Sequence, residues 1–289
     1  MGDRGVVRSR VQRLGVGAVV WAVLGLTAAA GGAEGVVAAP TSTVSPAAAG
    51  TVSAARDGGG GGGGRGAGAG PLAPDGFVAL RFVDASVGQD MRYAGGRNFT
   101  GAVVDGYDEA ECLLARPAAL ALRRAQQGLL RRGYGLLVYD CYRPQRAVDR
   151  FVRWARDLAD QRTKESYYPH VDKSLLIPHG YIAERSGHNR GSTVDVTLVR
   201  PAAGRRPVDM GTPFDFFDPL SHTDDPRVGP GAARHRRLLR ESLAAEGFVN
   251  LPEEWWHFTY RPEPIPAPSP PFDFPVRLAS VGIGIARNR

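Results

Sequence analysis

The sequence predicts an α+β fold: a single domain over residues 71–289 with a largely antiparallel central sheet flanked by helices. Three observations predict it. Two proline-started segments, Arg116–Gly133 and Pro144–Gln161, repeat apolar residues at helical spacing. The stretch "STVDVTLV" sets Val194, Val196 and Leu198 against Asp195 and Thr197 with the period of two that marks a strand. Helical and strand patterns are mixed without the regular βαβ rhythm of a doubly wound sheet.

In chain order, "FVALRFVDAS" (Phe77–Ser86) alternates as a strand. "RPAALALRRAQQGLLRRG" carries Pro117 at its start, Leu120, Leu122, Leu129 and Leu130 along it and a glycine at its end, the signature of a helix. "YGLLVYD" (Tyr134–Asp140) is a short apolar run and predicts a buried strand. The segment from Pro144 places Ala147, Phe151, Trp154 and Leu158 on one helical stripe. "ARHRRLLRESLAAEGF" (Ala233–Phe248) predicts an amphipathic helix stopped at Gly247. "WWHFTY" (Trp255–Tyr260) is aromatic and β-prone.

The N-terminal quarter has another character. Arg4, Arg8, Arg10 and Arg13 precede the apolar segment Leu14–Ala33, which ends in small residues. That order predicts a signal peptide over residues 1–33 and an exported protein, secreted or held in the wall or periplasm, whose membrane contact is transient. Left uncleaved, the segment would be a membrane anchor. Residues 34–70, with unbroken glycine at Gly58–Gly64, have almost nothing to bury and predict a disordered Gly/Ala-rich linker. Part of the formal charge of +7 sits in these first 70 residues, and no basic helix interleaved with aromatics follows, so no nucleic-acid partner is expected. The two cysteines, Cys112 and Cys141, invite a disulfide in an exported chain; two buried thiols are the alternative.

Three residues stand out as metal ligands. His188 lies in "GHNRG", a turn able to fold it back beside Asp195, which faces away from Val194 and Val196. His257 lies in a separate strand-like segment. Two imidazoles and one carboxylate supply three borderline ligands with a fourth position open, the arrangement of a catalytic site for one Zn2+. A carboxylate must then move the proton of the attacking water. Glu254, three residues before His257, is placed for this only if it sits in the turn entering the strand, because residues three apart on a strand face opposite ways. Glu253 is one residue further off. His170, His179, His222 and His235 have no comparable company.

"SGHNRGSTVDVTL" and "EEWWHFTY" resemble the S-x-H-x-x-G-x-x-x-D and E-x-W-H signatures of the VanX-type D-alanyl-D-alanine dipeptidases. These belong to the zinc D,D-peptidases, a group that also resembles the Hedgehog signalling domain. "GYGLLVYDCYRPQRAV", "RTKESYYP", "MGTPFDFFD" and "FDFPV" extend the resemblance over almost all of residues 77–276. It implies His188, Asp195 and His257 as zinc ligands, Glu254 as general base and Arg143 as the arginine that stabilises the oxyanion. It further implies Ser186, Tyr93 and Asp215 along the substrate pocket, with Asp215 suited to a substrate ammonium. Two positions depart from the family pattern: Cys141 replaces a glycine of the cytoplasmic enzymes, and Gly187 stands where a serine can precede the ligand.

The expectation is therefore an exported zinc dipeptidase acting on D-Ala-D-Ala in wall-peptide turnover or salvage, its partner a small dipeptide or a peptidoglycan fragment. One rival is a D,D-carboxypeptidase or endopeptidase acting on peptidoglycan stems through an open groove. Another is a non-catalytic zinc-stabilised wall-binding module, which would lack the base or the oxyanion donor. Tyr167–Arg185 is the segment expected to close a dipeptide pocket.

Overall fold

The computed structural model describes residues 71–267 and 270–282. The signal peptide expected over 1–33 and the linker expected over 34–70 lie outside the described residues. Among the described residues, no helix is long and apolar enough to cross a membrane.

The strand with the clearest alternation lies at the middle of the main sheet. On β5 (Thr193–Arg200), Val194, Val196 and Leu198 pack into the core on one face, while Asp195 and Thr197 are equally buried on the other. β4 (Gly135–Asp140) and β8 (His257–Tyr260) flank it antiparallel. β7 (Phe248–Asn250) lies outside β8, and β2 (Gly88–Gln89) adds a short parallel edge to β4. The two-residue β6 (Arg206–Pro207) pairs with the far end of β5. A separate ribbon joins β1 (Phe77–Ala79) to β3 (Leu113–Ala115). The predicted α+β architecture with a largely antiparallel sheet is thus what the chain forms.

The three longer helices start at or beside a proline, and the second ends before its apolar stripe does. α1 (Arg116–Leu130) has Pro117 in its first turn, where a missing N–H breaks no intrahelical bond. Its buried face is Ala118, Ala121, Leu122, Ala125 and Leu129; Leu120 and Leu130 of the expected stripe face outward. At about 100° per residue Leu120 and Leu122 stand on opposite sides, and the alanines let the helix approach the sheet closely. α2 (Gln145–Arg156) buries Ala147, Phe151 and Trp154, but Asp157 leaves helical geometry and Leu158 falls outside the stripe. A single turn, α3 (Lys164–Tyr167), follows. α4 (Pro230–Ala244) starts at a proline three residues before the expected start, and Gly247 beyond it takes φ +90°. Phe77–Ser86 is a strand only to Ala79, because Leu80 is also buried and breaks the period of two. Trp255 and Trp256 form a turn rather than a strand.

A disulfide joins Cys112, just before β3, to Cys141, just after β4. It fastens the small ribbon to the end of the main sheet where the buried polar face of β5 collects its partners.

Candidate functional site

The register of three strands assembles the centre. Along β4 and β5, Val138 faces Val196 but Asp140, not Tyr139, faces Asp195. One extra residue in β4 makes this shift, and such a bulge re-aims the side chain that follows it. On the other side Asp195 faces His257. Directly opposed antiparallel residues share a face, so Asp140, Asp195 and His257 form a row across the sheet.

His188 reaches the row from a one-turn 3-10 helix, Gly187–Arg190, whose first N–H groups are capped by Ser186 Oγ accepting from His188 N at 3.3 Å. The turn closes at Gly191 with φ +67°, and a Cβ there would lie 2.3 Å from the Phe77 ring. Only glycine meets both demands. His188 Nδ1 donates to the Cys141 carbonyl at 2.7 Å, which fixes the tautomer and turns Nε2 inward.

Three donor atoms then converge. His188 Nε2 lies 3.3 Å from Asp195 Oδ1 and 3.3 Å from His257 Nδ1, and the last two are 3.1 Å apart. Metal–ligand distances of about 2.0–2.1 Å in a tetrahedron separate ligands by about 3.3 Å. Asp195 Oδ1 is buried with no hydrogen-bond partner. An orphaned carboxylate oxygen facing imidazole nitrogens at the edge length of a tetrahedron fits a zinc ion. Burial works against the Asp195 carboxylate, yet His188 and His257 outweigh it and hold the group below the ordinary carboxylate range.

Glu254 stands at the same place by way of a turn. Its N–H donates to Leu251 and its carbonyl accepts from His257 N, so it precedes β8 rather than joining it. Its Oε2 comes within 3.4 Å of His257 Nδ1. Burial raises its carboxyl to about 7, against the pull of His257 and Arg143. That range suits a group that must take up and release a proton near neutrality. Glu253 instead faces a separate cleft beside His222.

Arg143 donates through Nε to Asp140 Oδ2 at 2.9 Å, and its Nη2 lies 3.4 Å from Asp195 Oδ2. Its guanidinium rests over the rings of Tyr93 and Phe151 at 5.2 and 5.1 Å. Asp140 is fully buried; its other oxygen accepts from Tyr107 Oη at 2.6 Å. Tyr93, whose ring underlies the Arg143 guanidinium, donates from Oη to Asp215 Oδ2 at 2.9 Å. Asp215 is a non-glycine residue at φ +59°, a conformation held by its surroundings at a cost of about 1–3 kcal/mol. Burial, with Asp195 adding to it, pushes its carboxyl well above the ordinary range.

A cavity of about 210 Å3 is bounded by Arg143, Asp195, Asp215, Glu254 and His257, with Tyr93 and Ser186 also in its wall. That is below the ~300–1,000 Å3 of drug-binding pockets. Gly180–Ala183 and Arg185, from the segment expected to close the pocket, supply one side. Every residue singled out as ligand, base, oxyanion donor or pocket wall thus meets at one place. The remaining histidines do not join the cluster: His170 pairs with Asp218, and His235 bonds the Asp209 carbonyl.

Residues 74–277 match the peptidase M15 family, described as D-Ala-D-Ala dipeptidase. The chain belongs to this family. Three curated D-alanyl-D-alanine dipeptidases are similar to it. That of Enterococcus faecalis is 44% identical over 192 residues, covering 66% of this chain and 95% of the relative. Those of Streptomyces coelicolor and Enterococcus faecium are 43% and 42% identical, covering 68% and 70% of this chain and 96% and 98% of the relatives. The resemblance drawn from the two signature segments is therefore that of a true member, and the M15 chain is a metallopeptidase.

Two site residues escaped the reading of the sequence. Asp140 anchors both Arg143 and the face of His188, whose Nδ1 lies 3.5 Å from Asp140 Oδ2. Its signal was available: an acidic residue ending the apolar run "GLLVYD", three positions before Arg143. Asn250 donates from Nδ2 to the carbonyls of Glu254 and His257, both at 3.0 Å, and so shapes the turn that carries Glu254. Nothing in the sequence pattern marks it.

Proposed function

We propose that this M15 chain is a zinc-dependent dipeptidase that hydrolyses D-Ala-D-Ala outside the cytoplasm. The observation that carries the reading is the orphaned Asp195 oxygen between two inward-facing imidazoles, with Glu254 beside them in a cavity of about 210 Å3.

His188, Asp195 and His257 would hold the ion. Zinc, when bound, supplies a Lewis acid that polarises the scissile carbonyl and brings the acidity of a water towards neutral pH. Glu254 takes the proton of the attacking water and delivers it to the departing amine. Arg143, locked by Asp140 and stacked on two rings, holds fixed positive charge where the tetrahedral oxyanion forms. Asp215 and Tyr93, which also line the cavity, take the substrate ammonium, whose charge turns the strained Asp215 carboxyl into its ionised form. Ser186 lines the cavity wall beside Arg185.

The buried acid within the cavity, Asp215, favours a free dipeptide with its ammonium over a wall stem. The relatives' names support the same substrate. For the location, the charged-then-apolar N-terminus and the Cys112–Cys141 disulfide both speak for an oxidising compartment. Two assays test the reading. Alanine release from D-Ala-D-Ala is expected to exceed that from N-acetyl-D-Ala-D-Ala by a hundredfold or more, since acetylation removes the ammonium; equal rates would favour the carboxypeptidase. Expression with a C-terminal tag is expected to give culture-fluid or envelope protein lacking the first ~30 residues; uncut cytoplasmic protein would refute export.

A further inference from the structure

The catalytic apparatus occupies the N-terminal end of β5 and leaves its other end without a role. There a cleft of about 530 Å3 is lined by Arg132, Arg200, Arg234 and Arg237, with Tyr134 and His235 between them. The walls come from the turn after α1, the end of β5 and α4, so residues distant in sequence point at one space. All four arginines are exposed.

Some surface arginines are matched, Arg124 with Glu246, Arg153 with Asp105, Arg156 with Glu184 and Arg240 with Asp224; what sets the cleft apart is that four unmatched ones share a single space. Among the described residues, none of the four cleft arginines has a carboxylate at ion-pair distance. Glu241 is the one acid in the lining. Arg200 is also held in place. Its Nη2 donates to Tyr134 Oη at 2.7 Å, and its guanidinium lies 3.9 Å from the centre of that ring. Arg206 stands directly opposite Arg200 across β5 and β6. Like charges so opposed weaken a sheet, and a bound anion removes the repulsion.

We propose that this cleft binds a linear chain of repeated phosphate groups that carries no bases. A planar carboxylate is satisfied by one guanidinium fork, whereas a phosphate offers oxygens to donors on several sides. Four arginines spread around a cleft of this size exceed what one phosphate can use, so the ligand repeats its charge. Nucleic acid is disfavoured because Arg200 covers a face of Tyr134 and His235 stands edge-on to the same ring, so the lining offers no parallel aromatic faces for successive bases. A lipid surface is disfavoured because Leu238, the aliphatic residue in the lining, is buried and has nothing to insert. The cleft shares no lining residue with the catalytic cavity, and Arg200 stands five residues along β5 from Asp195, roughly 16 Å away.

The test is calorimetric binding of long-chain inorganic polyphosphate to the full chain across a range of salt. Four phosphate contacts give a slope of log affinity against log salt of about −3. The triple variant Arg200→Gln, Arg234→Gln, Arg237→Gln is expected to lose at least tenfold in affinity and most of that slope. Its kcat/KM on D-Ala-D-Ala is expected to stay within about twofold of wild type, which also shows that the variant is folded. Polyphosphate binding that survives the triple substitution would overturn the proposal and point to other arginines. Absence of polyphosphate binding would overturn it too. So would a variant-sensitive affinity for single-stranded DNA or phosphatidylglycerol vesicles that exceeds the affinity for polyphosphate.

Discussion

The two ends of β5 treat charge in opposite ways. At the N-terminal end Asp195 is buried among His188, His257 and Arg143, and each of these is itself tied to a second partner. At the C-terminal end Arg200 is exposed, opposed by Arg206 and joined by three more arginines with Glu241 as the one acid in the lining. A strand of eight residues thus carries one end where charges are locked before substrate arrives and another where they are left open to solvent. Locked charge is what a reacting centre needs, since donors already aimed need not reorganise in the transition state. Open charge is what a binding face needs, since its partner arrives with the countercharge.

Substitutions at the two ends should therefore differ most in activity. Glu254→Gln removes the proton acceptor while leaving the ligands in place, and a loss of about 10²–10⁴ in kcat is expected by steady-state alanine release. Arg143→Met should follow at about 10²–10³ in kcat, with a smaller change in KM, because its charge is used chiefly on the oxyanion. Asp140→Asn tests whether locking itself matters. It leaves every reacting group present yet loosens Arg143 and His188, and a loss of about tenfold in kcat with wild-type folding by circular dichroism is expected. Arg200→Gln at the other end should leave kcat/KM unchanged. If Asp140→Asn were as silent as Arg200→Gln, the contrast between locked and open charge would fail.

How much of this was legible in the sequence follows from the range of each interaction. Asp195 and the strand around it announced themselves by alternation, and His188 by its glycine-bounded turn, because both are local patterns. The demand that Glu254 sit in a turn came from strand geometry alone, and the chain meets it through the Leu251–Glu254 turn. Asp140 was missed because the bulge that aims it at Asp195 is a matter of register between strands more than 50 residues apart, which no local pattern displays. The same holds for the arginine cleft: Arg132, Arg200, Arg234 and Arg237 looked scattered along the chain and are gathered only by the packing of α1, β5 and α4.

Smaller effects sharpen the picture. Gly191→Ala strains the turn behind His188 through both its φ and the Phe77 ring, and a stability loss of about 2–3 kcal/mol is expected in thermal or urea melts. Activity should also fall on the acid side. Glu254 serves as acceptor only when ionised, burial holds its carboxyl up to about 7, and a bound cation favours the carboxylate. The acid limb of kcat/KM is therefore expected at or below pH 7 and should vanish from whatever residual rate Glu254→Gln retains.

The most direct measurement is a zinc titration of the chelator-stripped chain, read in parallel by metal binding and by alanine release from D-Ala-D-Ala. Wild type should take up one zinc and regain activity in proportion to occupancy, while Glu254→Gln should bind the same one zinc and stay inactive. Full activity in the stripped chain, or a Glu254→Gln variant as active as wild type once loaded, would contradict the account of this site.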